Sequence, residues 1–85
     1  MPSKTVTVGS SVGLHARPAA IIAEAAGDLD SEVTLAMPGE EPVDASSSLL
    51  IMTLGASCGD SIEVSGDDQV AVDTIAALVE KDLDA

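Results

Sequence analysis

The chain has 85 residues, of which 15 are acidic and three are basic, so its formal net charge is −12 at pH 7. This balance excludes ordinary binding to nucleic-acid backbones, which requires a basic surface. No apolar run approaches the length that spans a membrane, and the start lacks the apolar segment of a signal peptide. We therefore expect a cytoplasmic protein without membrane insertion, with one modest core in a single domain over residues 1–85.

The charge is typical of a protein adapted to high salt, such as one from a halophilic archaeon. The chain also has no aromatic residues and only two lysines. At about 1 M salt the Debye length is only about 3 Å, which screens such self-repulsion. The alternative is an acidic mesophilic domain. The high-salt interpretation predicts that dilution into low salt loosens the fold.

Cys58 and His15 are the only cysteine and the only histidine. An intrachain disulfide is therefore impossible, and Cys58 is interpreted as a small packing or loop residue. A dedicated zinc site is not expected, because it would need further thiol or imidazole ligands. We expect no metal and no cofactor, and we reject a small metal-carrying domain for the same reason.

The first half of the chain predicts a strand, a helix and two further strands. Thr5 and Thr7 alternate with Val6 and Val8, which predicts a half-buried strand over residues 4–8. Residues 16–26 predict a helix that ends at Gly27-Asp28, with Gly27 in the left-handed conformation. Residues 31–36 predict a second strand. Pro38-Gly39 is a turn signal, and residues 42–44 predict an edge strand because Pro42 cannot donate a ladder hydrogen bond.

The second half predicts a short helix, a strand and a final helix. Residues 46–48 cap a helix that runs through Thr53 and stops at Gly55. Ile62 and Val64 alternate with polar residues in a fourth strand, and Asp67 or Asp68 caps the last helix. That helix has a buried stripe of Val72, Ile75, Ala76 and Val79. The order βαββαβα predicts an α+β fold, an open-faced β-sandwich with a four-stranded antiparallel sheet and three helices on one face.

His15 lies where the first strand gives way to the first helix. Pro18 belongs near the start of that helix, because first-turn N–H groups have no partner within the helix. A neutral imidazole is a good nucleophile near pH 7. A phosphoryl group on it would be held by the helix N-terminal N–H groups and by Arg17. A lone histidine before a helix is more often a cap or surface residue, and that alternative stays open on chemistry alone.

Two motifs in this chain resemble those of the HPr family, the phosphocarriers of the phosphoenolpyruvate-dependent sugar phosphotransferase system. Residues 13–19 read Gly-Leu-His-Ala-Arg-Pro-Ala, like the active-site signature of the family. Residues 44–55 resemble its second segment, in which a serine opens a short apolar helix that ends in Ser/Thr-Leu-Gly. Their order and spacing fit, so the resemblance covers essentially the whole chain and implies the same open-faced sandwich.

The resemblance implies a role for each residue around His15. His15 would be phosphorylated on ring Nδ1 by enzyme I and would donate to a sugar-specific EIIA-type domain. Arg17 would contact the phosphate and partner proteins; the alternative for Arg17 is a surface salt bridge. The N–H groups of Ala16 and Arg17 would face the phosphoryl oxygens, and Pro18 would be structural.

A serine in the second segment is phosphorylated by a kinase in many bacterial relatives. Counting back from residues 52–55 makes Ser47 the counterpart, whereas counting forward from His15 makes it Ser46. We favour Ser47, because the apolar helix anchors the register. The alternative is an N-cap serine without any regulatory role.

The resemblance also implies an exposed docking patch of Ala20, Leu49 and Met52, although both larger residues could equally be core. The family commonly surrounds this patch with lysines. This chain instead has Glu24, Gly27 and Ser46 at comparable places. Docking here must depend more on apolar contact, or on partners altered to match.

The expected function is that of a phosphocarrier, a transfer intermediate without its own small-molecule turnover. The final acceptor could be a sugar such as fructose, or dihydroxyacetone through a linked dihydroxyacetone kinase subunit. The chain is expected to be a monomer. The alternative is a non-catalytic regulatory module that binds other proteins, which would not need His15.

Overall fold

The computed structural model describes residues 2–11 and 13–81. Its elements follow the predicted order and differ from the predicted boundaries by at most two residues. They are β1 (Ser3–Thr7), α1 (Ala16–Gly27), β2 (Val33–Ala36), β3 (Val43–Asp44), α2 (Ser48–Thr53), β4 (Ser61–Gly66) and α3 (Gln69–Glu80).

The four strands form one antiparallel sheet in the order β1-β4-β2-β3. Val64 of β4 lies at its centre, paired with Lys4 on one side and with Leu35 on the other. The short strand β3 is at the edge of the sheet, as predicted from Pro42, which cannot donate a ladder hydrogen bond.

Alternation along the strands separates a buried face of the sheet from an open one. In β4, Ile62 and Val64 are buried while Ser61 and Glu63 are exposed. The buried face packs against the helices, and α3 contacts β1, β4 and β2. This arrangement confirms the predicted open-faced α+β sandwich.

The core contains only aliphatic side chains, because the chain has no aromatic residues. The predicted stripe of α3 is fully buried. Among the largest buried side chains are Ile22, Leu35, Ile51, Ile62 and Ile75. Seven buried alanines fill the remaining space, at positions 19, 26, 36, 45, 56, 71 and 76. Such small side chains bury little apolar area each, so the core stabilises the fold modestly.

Helix α1 ends at Gly27-Asp28 as predicted, but the predicted left-handed conformation of Gly27 was wrong. Gly27 is the last helical residue and does not adopt a positive φ. The N–H of Asp28 donates to the carbonyl of Glu24, and the N–H of Leu29 donates to that of Ala26, each at 3.2 Å. The chain thus continues its right-handed turn past Gly27, so that no left-handed residue is required.

The other predicted helix ends are confirmed. Gly55, with φ of 67°, follows α2. At the start of α3 the two candidate caps are resolved in favour of Asp68, whose carboxylate accepts from the N–H of Val70 at 3.2 Å.

Over residues 2–11 and 13–81, no helix is long and apolar enough to cross a membrane.

Candidate functional site

The segment before His15 is anchored against the loop that follows α2. Gly13 has φ of 77°, and its N–H donates to the carbonyl of Ser10 at 3.0 Å. The buried Leu14 donates its N–H to the carbonyl of Ala56, also at 3.0 Å. A Cβ on Gly13 would lie 2.5 Å from the Ala56 oxygen and 3.0 Å from Cα of Ser57. Only glycine fits this approach, which fixes the backbone that leads into His15.

His15 is the N-cap residue of α1. Its backbone is extended, with φ of −84° and ψ of −166°, and its carbonyl accepts the N–H of Ala19 at 2.9 Å. The side chain is exposed and makes no capping hydrogen bond. The backbone of His15 is therefore fixed by the helix, while its imidazole remains accessible from solvent.

The first turn of α1 leaves two N–H groups beside His15. Pro18 has no N–H, and the N–H of Ala19 is bonded to His15. The N–H groups of Ala16 and Arg17 have no hydrogen-bond partner among the described parts of the chain. Unpaired donors at the positive end of a helix favour an anion.

Arg17 is exposed and forms no ion pair with any carboxylate in residues 2–11 and 13–81. The alternative role for Arg17, a surface salt bridge, is therefore absent from this part of the chain. An unpaired guanidinium two residues from His15 can bind phosphate oxygens in a bidentate manner. Sequence reasoning named His15, Ala16, Arg17 and Pro18, and the structure places all four at this helix start.

The two candidate serines have different hydrogen bonds. Ser47 is the N-cap of α2, and its hydroxyl accepts the N–H of Leu50 at 3.3 Å. Ser46 donates its N–H and its hydroxyl to Oδ1 of Asp44, at 2.9 and 2.7 Å. Both bonds lower the pKa of Asp44 below its ordinary value, and the bond from the backbone N–H has the larger effect. Capping thus accounts for Ser47, and regulatory phosphorylation at either serine stays a prediction.

We expect Ser47→Ala to lower the free energy of unfolding by about 1 kcal/mol, since it removes the capping acceptor. Urea unfolding at constant high salt measures this change. Ser48→Ala is the matched control, because Ser48 is already the first helical residue and its hydroxyl caps nothing in the described structure. Equal unfolding midpoints for the two variants would contradict the assignment of Ser47 as the cap.

The predicted docking residues are all exposed. Ala20 lies on the surface of α1, which packs against α2. On α2, Leu49 is 68% and Met52 37% exposed. Leu50 is 40% exposed and was missed by sequence reasoning. Its exposure could have been predicted from the sequence. Because α2 has only six residues and buries Ile51, the neighbouring residues on each side of Ile51 point towards solvent. We call Leu49, Leu50 and Met52 the apolar face of α2.

Comparison with known proteins gives the family. The family described as PTS HPr component phosphorylation site matches residues 2–81. The chain belongs to the HPr family. Its general role is therefore that of an HPr phosphocarrier in the phosphotransferase system.

Relatives of this HPr chain match over most of their lengths. It is 38% identical to the phosphocarrier protein HPr of Streptomyces coelicolor, over 99% of this chain and 94% of that protein. It is 42% identical to the HPr of Treponema pallidum, over 84% of this chain and 82% of that one. The structure of HPr from Thermoanaerobacter tengcongensis superposes with a TM-score of 0.84 at 30% identity, covering 94% and 92% of the two chains.

Proposed function

We propose that His15 carries the phosphoryl group, which it accepts from phosphorylated enzyme I and passes to an EIIA-type domain. One observation supports this proposal above the others. The only imidazole of the chain is exposed at the start of α1, beside the unpaired N–H groups of Ala16 and Arg17. The membership of the chain in the HPr family also supports this proposal.

The transfer is a substitution at phosphorus in both directions. A ring nitrogen of neutral His15 attacks the phosphorus atom held by enzyme I, a P–N bond forms, and the bond to the enzyme I donor group breaks. The guanidinium of Arg17 and the N–H groups of Ala16 and Arg17 stabilise the charge on the phosphoryl oxygens. A nucleophile of the EIIA-type domain then attacks the same phosphorus, and the P–N bond breaks.

A carrier must keep its phosphoryl group from water, and the surroundings of His15 agree with that need. No carboxylate adjoins His15 in the sequence, and none forms a hydrogen bond or an ion pair with its ring in the described structure. A general base that could activate water is thus absent from the immediate contacts of His15.

The remaining parts of the proposal concern the setting of the reaction. The single HPr-like domain over residues 1–85 works as a cytoplasmic monomer without its own metal or cofactor. The final acceptor is a sugar such as fructose, or dihydroxyacetone through a kinase subunit. Neighbouring genes for a fructose permease or a dihydroxyacetone kinase would distinguish these two acceptors.

The test is the intact mass of the chain after incubation with phosphoenolpyruvate and enzyme I from the same source, in molar salt. We expect the gain of one acid-labile phosphoryl group, and no gain in His15→Ala. A parent chain that stays unmodified beside a demonstrably active enzyme I would overturn the proposal. It would then favour the regulatory module, whose effect on its partners should survive His15→Ala.

A further inference from the structure

The apolar face of α2 is the most exposed group of large apolar side chains in the described structure. Leu49, Leu50 and Met52 are 68, 40 and 37% exposed, whereas the only other large apolar side chain of comparable exposure is Val70. Adjacent exposed apolar side chains are typical of a surface that another protein covers. The charges around this face determine which kind of protein can do so.

An acidic groove borders the N-terminal end of α2. Asp30, Glu32 and Asp44 line it together with Ser46, two residues before the helix. The C-terminal end of α1 also lines this groove, and no basic residue lies in the last turn of α1 to offset the negative end of its dipole. All three carboxylate residues are exposed.

A second acidic groove borders the C-terminal end of α2. Glu40 and Glu41, both exposed, line it together with Thr53 and Leu54. A groove lined by carboxylates therefore borders each end of the helix that carries the apolar face. We call the five carboxylate residues of the two grooves the acidic rim: Asp30, Glu32, Asp44, Glu40 and Glu41.

No basic side chain of the described residues lines either groove. The chain has only three basic residues. Lys4 lies in β1 and Lys81 follows α3, and neither lines either groove. Arg17 lies at the start of α1 and forms no ion pair within the described ranges. The rim carboxylates likewise lack ion pairs there, so their charges act on whatever approaches α2.

We infer that the protein that docks on this surface presents lysine or arginine side chains around an apolar centre. This inference deepens the proposed function, on which it rests, by stating the chemistry of the phosphoryl donor's docking face. A neutral or acidic face would leave the rim carboxylates desolvated without partners. A basic face would pair with them and would accelerate encounter by electrostatic attraction.

The test compares two double variants of the full chain that have the same net charge. Glu40→Lys with Glu41→Lys reverses part of the acidic rim. Glu63→Lys with Glu80→Lys is the control, because Glu63 lies on the open face of the sheet and Glu80 ends α3, outside both grooves. In each, two glutamates become two lysines, which raises the formal net charge by four, from −12 to −8.

Calorimetric titration with enzyme I from the same source measures Kd, after circular dichroism has shown that each variant is folded. We expect the rim variant to bind roughly tenfold more weakly than the parent, and the control less than about twofold more weakly. The difference should shrink at about 1 M salt and above, where the Debye length falls to about 3 Å. The neutral pair Glu40→Gln with Glu41→Gln should lie between the parent and the rim variant.

Equal Kd values for the rim variant and the control would overturn the inference. Tighter binding by the rim variant, or no binding of enzyme I by the parent chain, would also overturn it. The mass of the parent after incubation with phosphoenolpyruvate is read in parallel. A parent that binds enzyme I without gaining a phosphoryl group would contradict the proposed function, while the comparison of Kd values would still decide the charge of the partner's face.

Discussion

Replacing Gly13 by alanine is expected to destabilise the folded chain by about 3 kcal/mol or more and to slow phosphorylation at His15. An alanine here must hold a left-handed conformation, and its Cβ would lie 2.5 Å from the carbonyl oxygen of Ala56. The obstructing oxygen belongs to the backbone, so relief requires a shift of the segment that carries Leu14 and His15. Urea unfolding and the rate of phosphoryl acceptance measure the two effects.

Gly39→Ala is the control for Gly13→Ala. Gly39 has φ of 82°, but a Cβ there would meet nothing within 4 Å. Its substitution therefore costs only the left-handed conformation, about 1 kcal/mol, and should leave phosphorylation unchanged. If the two variants were equally stable and equally active, the close approach at Gly13 would have no role in positioning His15.

Raising the salt concentration from about 0.1 M to about 2 M is expected to raise the melting temperature by roughly 15 °C. Of the carboxylate residues in the described ranges, all but Asp60 are exposed and none is in an ion pair. Their mutual repulsion acts against a core of small aliphatic side chains. If screening relieves about 3 kcal/mol of this repulsion, a chain of this size gains about 5 °C for each kcal/mol.

Thermal unfolding followed by circular dichroism in potassium chloride measures this dependence. The variant Glu63→Lys with Glu80→Lys has a formal net charge of −8 and should depend less on salt than the parent. A melting temperature that is unchanged between low and molar salt would contradict adaptation of this chain to high salt.

Much of the architecture could be predicted from the sequence, because each element has a local signal. Valine alternation marked β1, and the stripe of Val72, Ile75, Ala76 and Val79 marked α3, since periodicity directly reports which face is buried. The backbone conformation of Gly27 at the end of α1 could not be predicted in this way. Gly27 permits a left-handed conformation but does not require one, and the hydrogen bond from Asp28 to Glu24 continues the turn.

In the candidate site, too, some residues could be predicted from the sequence and others could not. His15, Arg17 and Pro18 could be named from a motif of adjacent residues, because a helix start is a local event. The sequence placed the cap of α2 within residues 46–48, and only the structure assigned it to Ser47 rather than to Ser46. Both are serines with the same local propensity, and the difference arises because Asp44, at the end of β3, takes both the N–H and the hydroxyl of Ser46.

The sequence by itself determined the elements, their order, the buried faces and the helix start that carries His15. All of these depend on the periodicity, capping and backbone restrictions of neighbouring residues. Only the tertiary structure decided that Gly13 must be glycine, because the obstacle is Ala56, 43 positions further along the chain. It likewise assembled the acidic rim, since Asp30 and Asp44 come from separate segments that meet only when the sheet and helices pack together.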